Sequence, residues 1–122
     1  MTSKWGKPNK DLMDLLATLV EPYNCTSKKM FGTLTYFINN NMMTGVHEDI
    51  IFLRLSEEDR EKIKTEFPSV VQFEPLEGRK MREYIVLDEE IYRDIPTLEK
   101  WLDKAVSFVS SLPPKIPKQK KK

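Results

Sequence analysis

Two stretches of helical periodicity bracket a stretch of strict alternation, and this change of period constrains the fold more than any other feature. Leu12, Leu15, Leu16, Leu19 and Val20 recur at the spacing of one helix face. Leu98, Trp101, Leu102, Ala105, Phe108, Val109 and Leu112 lay a wider stripe along a second helix. Between them, Leu34, Tyr36 and Ile38 alternate with Thr33, Thr35 and Phe37, and Ile51, Leu53 and Leu55 alternate with Phe52 and Arg54. That is the period-two pattern of strands. A helix with one apolar stripe has to bury it against another element, so both helices are expected on one face of the sheet that these strands form.

The punctuation of the chain supplies the element order. Asn9 precedes the first stripe as an N-cap, and the helix stops near Pro22. Asn39-Asn40-Asn41 reads as a hairpin turn into Met42–Val46, because asparagine tolerates left-handed backbone, and His47-Glu48-Asp49 reads as the next turn. Ser56 followed by Glu57, Glu58 and Asp59 predicts a short helix to about Phe67, with a capping hydroxyl and acids at the positive end of the helix dipole. Val70–Glu74 and Tyr84–Leu87 read as strands joined by a loop over 75–82, in which Pro75 and Gly78 are the breakers. Asp94-Ile95-Pro96 opens the last helix and Pro113-Pro114 stops it. The predicted architecture is a two-layer α+β sandwich of order α-β3-α-β2-α, with a mostly antiparallel five-stranded sheet and helices on one face. Residues 1–8 are expected to be an N-terminal extension, 9–114 the domain, and 115–122 a basic disordered tail.

A chain of 122 residues with 39% hydrophobic and 32% charged residues suits one globular domain with a core of its own. No apolar run approaches the roughly 20 residues that span a bilayer, and the polar Met1–Lys10 does not read as a secretory signal, so a cytoplasmic location and no membrane partner are expected. The formal net charge is +1, yet Lys115, Lys118, Lys120, Lys121 and Lys122 fall in the tail. The remainder holds 15 basic against 19 acidic residues, or −4. A surface that is basic all round is thereby excluded, which leaves local basic patches.

Catalytic signatures are sparse. Gly6, Gly32, Gly45 and Gly78 form no phosphate-cradling loop, and the single Cys25 with the single His47 makes no metal set, so no cofactor and no metal are expected. Cys25 reads as an inert, partly buried thiol, and His47 as a solvated turn residue. Asp49, Glu57, Glu58 and Asp59 read as turn and helix-start acids, although paired carboxylates leave hydrolysis open as a reading. Trp5 and Trp101 read as core or helix-docking residues, because neither stands in the mix of aromatics and cations that single-strand binders use. Two segments stand out: Ser27-Lys28-Lys29-Met30-Phe31-Gly32 and Gly78-Arg79-Lys80-Met81-Arg82-Glu83-Tyr84 both mix cations with methionine and an aromatic. If they share one end of the sheet, Lys28, Lys29, Arg79, Lys80 and Arg82 form one partner-binding patch. The plainer reading makes Met30, Phe31, Met81 and Tyr84 core and the cations its rim.

These same segments, with His47-Glu48-Asp49 ahead of Phe52-Leu53-Arg54-Leu55, with Phe73-Glu74-Pro75, and with the closing Ser111-Leu112-Pro113-Pro114, resemble the N-terminal domain of the TfoX/Sxy family from about Asn9 to Leu112. Thr33 stands where a second glycine often follows Gly32. The resemblance implies an α-β3-α-β2-α fold like that of secretion chaperones. Longer members are regulators of DNA-uptake competence that assist a cyclic-AMP-receptor-type transcription activator and carry a second, helical domain that this chain is expected to lack. The family supplies no catalytic residues. The function expected is a non-enzymatic regulatory binding module whose partner is a protein, a transcription activator or RNA polymerase, with nucleic acid a weaker partner. A protein-binding adaptor unrelated to nucleic acid is the second reading and an enzyme the third. The sequence leaves the oligomeric state open.

Overall fold

A computed structural model describes residues 9–30, 33–76 and 78–113. The expectations for Trp5, Phe31, Gly32 and the extension and tail at 1–8 and 115–122 lie outside those residues. Helix α1 spans Lys10–Val20, where the Asn9 side chain accepts from the Leu12 N–H at 3.1 Å. Four strands follow, β1 Thr26–Met30, β2 Thr33–Ile38, β3 Asn41–His47 and β4 Ile50–Arg54. Helix α2 is Glu57–Glu66, capped by the Ser56 hydroxyl accepting from the Asp59 N–H at 3.2 Å. Strands β5 Gln72–Leu76 and β6 Arg79–Leu87 form a second hairpin, and the chain closes with the short α3 Glu89–Tyr92 and the long α4 Ile95–Ser111.

All pairings are antiparallel and the sheet order is β1-β2-β3-β4-β6-β5. The sheet therefore has six strands rather than five, and the order is α-β4-α-β2-α-α. The strand missed was β1, an edge strand of sequence Thr-Ser-Lys-Lys-Met whose Thr26, Ser27, Lys28 and Lys29 are all exposed and so imprint no alternation. The predicted loop over 75–82 is largely strand as well: β6 starts at Arg79, directly after Gly78, whose φ of +83° makes the tight reversal. Of the predicted turn Asn39-Asn40-Asn41, the first two residues make a two-residue hairpin turn, both with positive φ (52° and 67°), and Asn41 already opens β3.

The period-two pattern sorts the strands' side chains between two cores. Tyr36, Ile38, Met43, Val46, Ile51, Leu53, Leu55, Ile85 and Leu87 face Leu12, Leu16 and Val20 of α1, Ile63 of α2, Ile91 of α3, and Leu98, Trp101, Leu102, Ala105 and Val109 of α4. The four helices of the described residues thus lie on one side. Phe37, Met42, Phe52, Phe73 and Tyr84 form a second, smaller cluster on the other side, built from strand residues alone.

Candidate functional site

Register decides where the five predicted cations stand. Lys28 is opposite Thr35, Thr35 opposite Gly45, Gly45 opposite Phe52, and Phe52 opposite Val86, one row across five strands. Four antiparallel steps make β1 and β6 run in the same direction. Lys28, in the middle of β1, and Lys29 after it are therefore level with the late part of β6, whereas Arg79, Lys80 and Arg82 occupy its beginning. Strands β2, β3 and β4 lie between. The expected single patch is thus two cationic sites on different strands and toward opposite ends of the sheet, because the strand order, which is non-local information, separates them. Lys28, Lys29, Lys80 and Arg82 are all exposed. Lys28 Nζ stands 4.9 Å from the centre of the Phe37 ring, a cation over an aromatic face.

Two of the apolar residues read as core beside these cations, Met81 and Tyr84, belong to the second core. Tyr84 is buried, and Met81 packs against the same cluster. Phe52 and Phe73 stack at 4.4 Å and 11°, and Tyr84 meets Phe52 edge-on at 6.1 Å. The Tyr84 hydroxyl donates to the Met42 carbonyl at 2.8 Å, and burial pushes its pKa up to about 12 although Arg54 pulls the other way. His47 is a correction: it ends β3, is half-buried, and its ring meets Phe73 edge-on at 5.4 Å, which gives it a packing role rather than that of a solvated turn residue.

Sequence reasoning passed over Arg54. Its guanidinium bonds Glu83 Oε1 through Nε at 2.8 Å and through a terminal nitrogen at 2.7 Å, and stands 5.5 Å from the Tyr84 ring and 5.9 Å from the Phe108 ring. It joins the end of β4 to β6 and to α4 at the end of the sheet where Arg79–Arg82 begin β6. A lone Arg at the end of an apolar strand was the only signal. Trp101 is core, as expected, with Lys100 and Lys104 over its ring at 5.1 and 5.7 Å. An open cleft of about 400 Å³ between α2 and α4 is lined by Lys62, Thr65, Glu66, Lys100, Trp101 and Lys104.

The candidate catalytic groups have structural work. Glu57, Glu58 and Asp59 lie in the first turn of α2, and Asp49 accepts from the Asn9 side chain at 3.1 Å. Cys25 is half-buried and burial pushes its thiol above the ordinary value, away from the thiolate. Among the described residues no group of three or more His, Cys, Asp or Glu is placed to hold a metal ion, and no helix is long and apolar enough to cross a membrane.

An antiparallel sheet backed by helices on one face, with exposed cations on an edge strand and at one strand start, defines a small α+β domain. The chain belongs to the TfoX N-terminal domain family, which it matches over residues 14–109. No curated protein and no solved structure matches it.

Proposed function

We propose that the domain is a non-enzymatic regulatory binding module, acting in the cytoplasm, whose partner is a transcription protein, an activator or RNA polymerase. Family membership carries the reading. The exposed Lys28, Lys29, Lys80 and Arg82, on a body whose charge outside the tail is −4, support contact with an acidic surface at defined places rather than general adhesion to nucleic acid. The experiment is a pull-down from nuclease-treated lysate with the parent and with two variants, Lys28→Glu/Lys29→Glu and Lys80→Glu/Arg82→Glu. Recovery of RNA polymerase or an activator by the parent, and its loss in at least one variant, is the expected result. A partner set without any transcription protein supports the adaptor reading instead, and recovery that needs nucleic acid contradicts direct protein contact.

A further inference from the structure

The two edges of the sheet are unequal. Strand β5, at one edge, contains Pro75, which has no N–H to offer, and its pairing with β6 is interrupted by register shifts at Gln72/Phe73 and Phe73/Leu76. Prolines and bulges of this kind blunt an edge against further pairing. Strand β1, at the other edge, has neither. Its five residues pair with β2 in unbroken register, Thr26 to Phe37 through Met30 to Thr33, and Thr26, Ser27, Lys28 and Lys29 are all exposed. What guards this edge is charge: Lys28 and Lys29 are consecutive, so one projects to each face of the sheet, and neither has an ion-pair partner among the described residues.

We propose that the free edge of β1 binds an extended, acidic segment of a partner protein by strand addition, with consecutive Asp or Glu residues opposite Lys28 and Lys29. In this mode main-chain hydrogen bonds supply affinity and the side chains facing each other supply specificity. The other occupants conflict with the charge. Residues 1–8 carry Lys4 and Lys7 and no acid, and residues 114–122 carry five lysines and no acid, so both segments are repelled by Lys28 and Lys29. A second copy pairing β1 with β1 antiparallel sets lysines against lysines, which is unfavourable for directly opposed positions. The inference stands whether or not the natural partner is a transcription protein.

The test uses the full chain and a fluorescent peptide, Thr-Val-Glu-Glu-Val-Thr, followed by anisotropy. Binding is expected, with about a tenfold or greater loss in Lys28→Glu/Lys29→Glu. A Thr-Val-Lys-Lys-Val-Thr peptide should bind that variant and not the parent, which also shows that the variant is folded. Strand addition has a further signature, since only alternate amides of the added strand face β1. N-methylation of one alternate set of peptide amides should abolish binding and methylation of the other set should leave it. Equal response to both sets, whether both bind or neither does, overturns the proposal, as does failure of the acidic peptide to bind. A parent that sediments as a dimer and becomes monomeric in the double variant overturns it in favour of a second copy on this edge.

Discussion

Gly45 offers the sharpest perturbation of the helix-free face. A Cβ added there stands 2.7 Å from Phe52 Cζ, 2.8 Å from Thr35 Cγ2 and 3.0 Å from Phe52 Cε2, closer than carbon atoms approach without movement. Neither neighbour is free to yield. Phe52 is fully buried and stacked on Phe73 at 4.4 Å, and the Thr35 hydroxyl donates to the Lys28 carbonyl at 3.0 Å, which fixes its rotamer. Overpacking of this kind costs about 1–3 kcal/mol, against which alanine regains about 0.5–1 kcal/mol of backbone entropy over glycine in a strand. With the two closest approaches under 3.0 Å the cost belongs in the upper part of that range, about 2–3 kcal/mol, so Gly45→Ala should lose about 1–2.5 kcal/mol net in urea denaturation. The cost should shrink in a Phe52→Leu background, where the offending ring is gone, and the difference is the coupling that a double-mutant cycle reads. A Gly45→Ala protein as stable as the parent, or costs that simply add in the double mutant, would refute the claim that Phe52 rests on Gly45.

Three further outcomes follow from the packing and the charges. Trp101→Ala and Leu16→Ala, each truncating a side chain that is 1% exposed, should lose about 3–5 kcal/mol by chemical denaturation, and losses under about 1 kcal/mol at both would mean that the helices do not cover the sheet. Glu83→Ala leaves the guanidinium of Arg54, a side chain that is 20% exposed, without its carboxylate and should cost about 1–2 kcal/mol, between the values for exposed and buried pairs, with Arg54→Met/Glu83→Ala recovering part of it. Tyr84 is an acid whose folded pKa is raised from 10.0 to about 12, so its contribution to stability is complete below the unfolded value and is lost as pH rises across that window; Tyr84→Phe should flatten the alkaline fall in unfolding free energy, and an unchanged fall would show that other groups cause it.

Local chemistry carried most of the fold into the sequence. Asn9 and Ser56 cap the helices they precede, and Asn39-Asn40 turns the hairpin it was expected to turn, because each of these signals acts within three or four residues. The stripes of α1 and α4 were legible for the same reason. What escaped needed non-local information or left no pattern. Thr26, Ser27, Lys28 and Lys29 of β1 are all exposed and reveal no period, and the start of β6 reads as loop because Pro75 and Gly78 mark the segment around it as a turn. Phe37 and Phe52 were visible as alternating residues, yet that they form a second core depends on Phe73 and Tyr84 arriving from another hairpin. The cations were individually legible, and their separation was not, because it follows from β2, β3 and β4 lying between the strands that carry them.

Hydrogen exchange on the full chain, free and bound to whatever transcription protein survives nuclease treatment, tests the functional account most directly. Contact through the cationic strands predicts slowed exchange at 26–30, at 79–82 or at both, with the outer faces of α1, α2 and α4 unchanged. Protection confined to those helices, with β1 and the start of β6 exchanging as in the free protein, would contradict it.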